Sequence, residues 1–305
     1  MEIRILKYFL AVAQEQNITK AAELLHTTQP NLSRQLNELE NNLGKKLFER
    51  GGRKITLTEE GMFLRKRAKE IVELVDRTET DLAAYNEAVS GVVHIGAIET
   101  YVMRLIGNVI LSLREVHPGI KYDFFSGSIA EIADGLNNGL LDFGVIVAPI
   151  DMEKYEYLKL PESDHFGLIM RKDCPLAKLP AIRPTDISDY PVWVAHQQLE
   201  SNVLSSWLGR DVSTLNIIST FNLITTPAMM VEQGLGMAFT FNHLVDTTGN
   251  RQLCFRPLEP CIEATLYLVW KKYQMFTRSG KMFLNWCREK LLTHNPSQIE
   301  TNFDN

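Results

Sequence analysis

Residues 19–61 read TKAAELLHTTQPNLSRQLNELENNLGKKLFERGGRKITLTEEG. Thr19 is a good N-cap, and Ala21, Ala22, Leu24 and Leu25 supply small or apolar packing, so a short helix is expected over residues 19–25. His26 falls at a turn, where histidine tolerates unusual backbone angles better than most residues. Thr28 stands at the N-cap of a second helix, and Pro30 sits in its first turn, where a missing N–H costs nothing. Leu32, Leu36, Leu39 and Leu43 recur at helical spacing and make one apolar face. The other face carries Gln29, Asn31, Ser33, Arg34 and Gln35, which are amides, a hydroxyl and a guanidinium. Two short helices, a tight turn and a polar second helix are what a helix-turn-helix needs to enter a DNA major groove.

Beyond this pair, Leu47–Arg50 and Lys54–Leu57 read as short strands, and Gly51-Gly52 permits the tight hairpin of a wing. Upstream, residues 3–15 form an amphipathic helix whose Ile5, Tyr8, Phe9 and Val12 can cover the helix pair. Downstream, Thr58 caps a long helix, with Glu59 and Glu60 at its positive end. Leu64, Ala68, Ile71, Val75, Thr78, Leu82 and Tyr85 follow at strict four–three spacing. That stripe predicts a coiled-coil seam and at least a dimer, along a helix of roughly 45 Å.

Charge supports a local DNA-binding surface on an acidic molecule. The chain has 305 residues, 45% hydrophobic, with a formal net charge of −5. Residues 1–90 balance 14 cationic against 14 acidic side chains, so the remaining 18 and 23 supply the whole imbalance. Within residues 44–57, Lys45, Lys46, Arg50, Arg53 and Lys54 face only Glu49. A basic wing on an otherwise acidic chain limits nonspecific sticking.

The four cysteines, Cys174, Cys254, Cys261 and Cys287, fit neither zinc nor a redox pair and read as reduced thiols. No signal-peptide layout or membrane-length apolar run is present, so a cytoplasmic protein without a membrane partner is expected. There is no GxSxG, Walker A or HExxH, and the histidines lack ligand spacing; no catalytic residue, metal or cofactor is expected. Gly234-Leu-Gly236 has the wrong order for a dinucleotide fingerprint, because it leaves a helix and enters a strand.

After Ser90-Gly91 the pattern changes. Strands are expected at 92–97, 120–125 and 141–147, with helices at 101–116 and 129–137 between them. A second set begins near Pro161: strands at 165–170, 192–195, 216–221 and 237–241, and helices at 202–208 and 224–233. An apolar strand at 262–270 returns to the first set, and a helix at 279–292 closes it. These units imply two parallel, doubly wound lobes.

Residues 21–61 resemble the winged helix-turn-helix of LysR-type transcriptional regulators. The matching positions are Ala21-Ala22, Leu25, Gln29-Pro30, Leu32-Ser33, Leu39-Glu40, Leu43-Gly44, Leu47-Phe48, Arg50 and Leu57-Thr58. The resemblance implies a winged helix-turn-helix domain at 1–58, a coiled-coil linker helix at 59–89 and a regulatory domain at 90–305. The last would be a two-lobed α/β effector domain of periplasmic-binding-protein type 2, with lobe I at about 91–161 and 266–305 and lobe II at about 162–265. It implies double-stranded operator DNA, a small-molecule effector and a dimer of dimers as partners, with RNA polymerase added in an activator.

The same resemblance places Thr28, Gln29, Pro30, Asn31, Ser33 and Arg34 at the DNA, with Arg53 on the wing entering the minor groove. The family more often has Val-Ser where Thr27-Thr28 stand, and a smaller residue in place of Asn31, so Asn31 is a candidate for sequence preference. In the effector domain, ligands belong at the carboxyl ends of strands. The positions there are Glu99, Thr100, Ser126, Ser128, His196 and Asn222. Ser128 matches a hydroxyl position that touches effector in relatives, and Ser128 and Thr100 are also plausible helix caps. Glu99 beside a helix N-terminus argues against a simple dicarboxylate effector and for one bearing an amino or hydroxyl group. The family often has Pro where Phe241 stands, which leaves the far wall of the cleft open to change. A solute-binding receptor is opposed by the helix-turn-helix, and a DNA-tethered enzyme by the missing catalytic constellation.

Overall fold

The computed structural model describes residues 1–51, 54–83, 90–151, 153–249 and 251–292, and the chain divides into two compact units after Tyr85. The first unit contains α1 (Ile3–Glu15), α2 (Ile18–Leu24), α3 (Gln29–Leu43), β1 (Phe48–Gly51), β2 (Lys54–Leu57) and α4 (Glu59–Ala83). Its core is built from Leu6, Phe9, Val12, Ala21, Ala22, Leu32, Leu36, Leu39, Leu47 and Ala68. Each fully buried leucine or phenylalanine here contributes about 1.5–3 kcal/mol through removal from water. Leu43, expected on the same face, is exposed, because it ends α3 where Gly44 turns the chain into the left-handed region.

Local details depart from expectation in two places. Asn17, and not Thr19, caps α2: its side chain accepts a hydrogen bond from the Lys20 N–H at 3.1 Å. Thr28 does stand at the N-cap of α3, but its hydroxyl makes no capping bond. His26 takes a positive φ of 50° in the turn.

The wing is fastened by a buried carboxylate. Glu40 accepts hydrogen bonds from Leu47 N (2.8 Å), Phe48 N (3.2 Å) and Lys46 Nζ (2.8 Å). Desolvation pushes its pKa up, but these three donors outweigh it and hold the carboxyl below the usual range. Thr58 Oγ1 donates to Lys46 O at 2.7 Å and accepts from Gly61 N at 3.0 Å, so it caps α4 and ties it to the start of the wing. A Cβ at Gly61 would lie 2.1 Å from Leu47 O, which explains the glycine.

The α4 stripe needs correction. Ala68 is wholly buried in the core of its own unit, and Leu64, Ile71 and Val72 pack against that core. Lys7 Nζ on α1 pairs with Asp76 on α4 at 2.8 Å. Periodicity identified an apolar face, but α1 covers its first half within the same chain. Val75 is half-buried, Thr78 is exposed, Leu82 is 67% exposed and Tyr85 lies outside the described residues.

The second unit is built on β3 (Gly91–Ala97), β4 (Ile120–Ser126), β5 (Phe143–Val147), β6 (Tyr155–Arg171), β7 (Val192–Ala195), β8 (Ile217–Phe221), β9 (Met237–Phe241), β10 (Leu253–Pro257) and β11 (Glu263–Lys271). Its helices are α5 (Met103–Val116), α6 (Ile129–Asn137), α7 (His196–Glu200), α8 (Val203–Leu208), α9 (Thr225–Glu232) and α10 (Arg278–Leu292). Among the described residues the strand order is β4-β3-β5-β11-β6-β9-β7-β8, with β10 on β6. Parallel β4-β3-β5 is closed by antiparallel β11, and parallel β8-β7-β9 is closed by antiparallel β6. The two lobes thus repeat one topology without a visible sequence repeat.

The continuous strand β6 runs through both lobes, pairing with β11 and then with β9 and β10. Its first half, together with β10 and α7, was not foreseen. In lobe I, Phe143 stacks on Phe276 at 5.0 Å and meets Phe283 of α10 at 5.1 Å. Gly234 and Gly236 have φ of 93° and 79°, and a Cβ at Gly236 would sit 2.3 Å from Pro191 O. They are turn glycines between α9 and β9. No helix among the described residues is long and apolar enough to cross a membrane.

Candidate DNA-reading helix and effector cleft

The exposed N-terminal half of α3 presents Thr28, Gln29, Pro30 and Arg34 to solvent, with Ser33 half-buried. Asn31 is also half-buried and is engaged within the turn. Its Nδ2 donates to Thr27 Oγ1 at 3.0 Å, and its Oδ1 accepts from Arg34 Nη2 at 3.4 Å. Asn31 therefore orients the Arg34 guanidinium, with Thr27 as the anchor. That chain was not apparent from the sequence, although the i, i+4 and i, i+3 spacings of these residues permit it. The unused Thr28 hydroxyl, the Gln29 amide and the Arg34 fork can meet phosphates or base edges. Arg53 lies outside the described residues.

In the second unit the parallel strands bring most of the expected positions to common edges. Ala97 and Ser126 are register partners at the ends of β3 and β4, so Glu99, Thr100, Ser126 and Ser128 gather beyond one edge of lobe I. Ala195 and Phe221 are likewise partners, which places His196 and Asn222 beyond one edge of lobe II. His196 Nε2 lies 3.4 Å from Thr220 Oγ1. Ser126 and Asn222 are exposed. The lobes meet where Glu99 Oε2 accepts a hydrogen bond from Ile224 N at 2.7 Å. Burial raises the Glu99 pKa, and the Ile224 N–H only partly offsets it.

Two hydroxyls at this edge are already engaged. Thr100 is buried, donates to Asp164 Oδ2 at 2.5 Å, and accepts from Val102 N at 3.1 Å. Thr100 is therefore a structural link to β6, and its one donor is unavailable to a ligand. Ser128 caps α6 in a reciprocal box: its N–H and hydroxyl donate to Glu131 Oε2 at 2.8 Å each, and Glu131 N donates back to Ser128 Oγ. These bonds, the backbone N–H of Ser128 foremost, hold the Glu131 carboxyl below its usual range.

Asp164 was missed by sequence reasoning. It is 2% exposed on β6 and also accepts from Tyr101 N at 3.2 Å. Desolvation raises its pKa against the lowering effect of Thr100, Tyr101 N–H, His165 and His243. Around it, Tyr101 packs on the His243 ring at 5.0 Å, while Arg104 lies over Tyr101 and pairs with Glu162. Phe241, where the family often has proline, is buried in the core and packs edge-on against Phe166 at 4.4 Å. A separate open depression of about 390 Å³ is lined by Lys172, Ala177, Thr247, Cys254, Phe255 and Arg256 and contains none of these residues. Among the described residues no group of three or more His, Cys, Asp or Glu side chains could hold a metal.

A reading helix on one unit and a two-lobed binding module on the other define a ligand-responsive DNA-binding regulator. Residues 3–62 match the bacterial regulatory helix-turn-helix protein, lysR family, and residues 86–292 match the LysR substrate binding domain. The chain belongs to the LysR family of transcriptional regulators, which are not enzymes. It is 25% identical over 293 residues to the HTH-type transcriptional regulator YvbU of Bacillus subtilis, covering 95% of this chain and 98% of that one. It is 28% identical to the Hca operon transcriptional activator HcaR of Escherichia coli, over 90% and 93% of the respective chains. In fold it is similar to full-length CbnR complexed with its target DNA: TM-score 0.72 at 18% identity, covering 95% of this chain and all of that one.

Proposed function

We propose that the exposed face of α3 reads operator DNA through Gln29, Ser33 and Arg34, with Thr28 and Pro30 against the backbone and Asn31 fixing the arginine. Arg53 is assigned to the minor groove by resemblance alone. The observation that carries this reading is the Thr27–Asn31–Arg34 chain, which aims a guanidinium from the solvent face of a recognition helix. Arg can take guanine bidentately, and Gln can take adenine.

The regulator works in the cytoplasm as a dimer, and as a dimer of dimers on DNA. The dimer contact falls on the part of α4 that its own core leaves uncovered. Phe63 (68% exposed), Leu74 (41%) and Leu82 (67%) are large apolar side chains there. At about 100° per residue, Leu82 continues the line of Leu64, Ala68, Ile71 and Val75 beyond the end of α1, while Phe63 and Leu74 lie a quarter-turn round. An effector binds between the lobes, among Glu99, Ser126, His196 and Asn222. Binding changes lobe closure and so the presentation of the two reading heads. An activator would also contact RNA polymerase.

Selection from a pool of random-sequence duplexes tests the reading. Recovered sequences should share a motif with two related half-sites, since a symmetric dimer reads a near-palindrome. Recovery of unrelated sequences would contradict it.

A further inference from the structure

The open depression on lobe II brings together two cations that no carboxylate compensates. It is lined by Arg256 and Cys254 of β10, by Lys172 just after β6, by Ala177 and by Thr247. Among the described residues neither Arg256 nor Lys172 has an acidic oxygen within 4.0 Å. No carboxylate stands among the lining residues.

Arg256 is half-buried and fixed by main-chain carbonyls. Its Nε donates to Ala177 O at 3.0 Å, its Nη2 donates to the same oxygen, and its Nη1 donates to Phe255 O at 2.7 Å. These bonds use three of the five N–H groups of a guanidinium and leave one on each terminal nitrogen. Carbonyls orient the positive charge without cancelling it. Lys172 is exposed, and its ammonium makes no hydrogen bond among the described residues. Its neighbour Asp173 is taken by Arg171 at 2.9 and 2.6 Å. Asp246 beside the depression is held below its usual range chiefly by the Thr248 hydroxyl and N–H, with smaller pulls from Arg251 and Lys172.

The two cations bear on one point. Burial, helped by Cys174, pushes the Cys254 thiol up, while Arg256 and Lys172 each pull it down. Such pulls come from nearby charges, so both cations lie close to that sulfur. The Thr247 hydroxyl in the same lining has no hydrogen bond among the described residues.

We propose that this depression binds a small phosphate monoester, with Arg256 and Lys172 on its phosphoryl group and Thr247 donating to one of its oxygens. Two convergent positive charges suit a group that carries its negative charges on one centre. A phosphate monoester has a charge of about −1.5 to −2 at neutral pH and three strong acceptor oxygens. The two remaining N–H groups of Arg256 can take two of them. A dicarboxylate splits its charges between separate groups, and a phosphodiester carries only one. Ala177 and Phe255 supply apolar lining for the organic part, in a volume of about 390 Å³. None of Glu99, Ser126, His196 and Asn222 lines the depression, so it would give the regulator a second chemical input.

The test is calorimetric titration and thermal unfolding of the full chain, at constant ionic strength and about pH 7.5, where a monoester is largely doubly charged. Three probes are compared: phenyl phosphate, the singly charged diester dimethyl phosphate, and succinate. Phenyl phosphate should raise Tm and bind with a Kd of about 1 mM or tighter, and the other two should bind at least about tenfold more weakly. Lys172→Glu alters an exposed side chain without hydrogen bonds, so it should fold as wild type and weaken phenyl phosphate about tenfold or more. Arg256→Gln should weaken it as much; because it also loosens the contact with Ala177, Lys172→Glu carries the test. Lys121→Glu makes the same charge change on the exposed face of β4 in lobe I and should leave binding within about threefold. Absence of phenyl phosphate binding, equal binding of succinate, or binding unchanged in Lys172→Glu would overturn the proposal. Equal binding of dimethyl phosphate would overturn it too, and would give the depression to a nucleic-acid backbone.

Discussion

The hydroxyl of Thr100 donates to the buried carboxylate of Asp164 at 2.5 Å, across 64 residues of sequence, and joins the start of lobe I to the strand that runs through both lobes. Tyr101 N–H is the second donor to the same oxygen. Two hydrogen bonds from one turn of chain thus favour the ionised Asp164 and partly offset the desolvation that raises its pKa, and the turn is held in place by Asp164.

Thr100→Val should therefore act on stability first. Loss of a hydrogen bond to a buried charged group costs about 1.5–3 kcal/mol. Thr100 helps lower a pKa that burial has raised, so the loss is greatest where Asp164 is ionised. The gap between wild type and variant should narrow as pH falls and Asp164 becomes protonated. Urea unfolding at pH 7 and pH 4.5 measures it, and Thr100→Ser should behave as wild type. An equally stable Thr100→Val would free the hydroxyl for a ligand role.

Glu40 makes a pH prediction of the same sign, from a carboxyl whose net pKa shift runs the other way. Its folded pKa lies below the ordinary value of 4.5, so its stabilising effect is present above that value and is lost as pH falls through the folded pKa. Glu40→Ala leaves Leu47 N and Phe48 N without acceptors and should destabilise the DNA-binding unit by about 1–3 kcal/mol per stranded group at pH 7. The difference should shrink below about pH 4. Chemical denaturation across that range, followed in the full chain, decides the matter; a pH-independent difference would mean that packing, not charge, is lost.

Local patterns in the chain foretell local structure well. Apolar spacing placed α1, α3 and the helices of both lobes other than α7, and glycine and proline marked the ends of α5 and α6. Partners distant in sequence are another matter. Asp164 reads as one acidic residue in an extended segment, and nothing near it names Thr100. Glu99 and Ile224 are 125 residues apart. The α4 stripe shows the same limit: a four–three spacing defines a face but not what covers it, and α1 of the same chain covers Ala68. Asn31 was marked as unusual by its type, yet its role in holding Arg34 depends on the Thr27 rotamer that only the folded turn provides.

That correction gives a prediction about assembly. Ile71→Asp would put a charge at the edge of the subunit's own core and should lower Tm as well as disturb the dimer. Leu82→Asp, at a position 67% exposed, should leave Tm of the DNA-binding unit nearly unchanged while shifting mass toward the monomer. Light scattering and thermal unfolding on both variants separate these effects. Unchanged mass for Leu82→Asp would place the dimer contact elsewhere.

Selective reading of DNA by α3 is tested most directly by one titration. Fluorescence anisotropy compares a selected two-half-site duplex with a scrambled duplex at several salt concentrations, for wild type and Arg34→Ala. Affinity of both duplexes should fall steeply with salt, because phosphate neutralisation releases counterions. Wild type should strongly prefer the selected duplex, and Arg34→Ala should reduce that preference by about 1–3 kcal/mol, with a much smaller change on scrambled DNA. Equal weakening on both duplexes would make Arg34 a phosphate contact, and an unaltered preference would remove it from the reading surface.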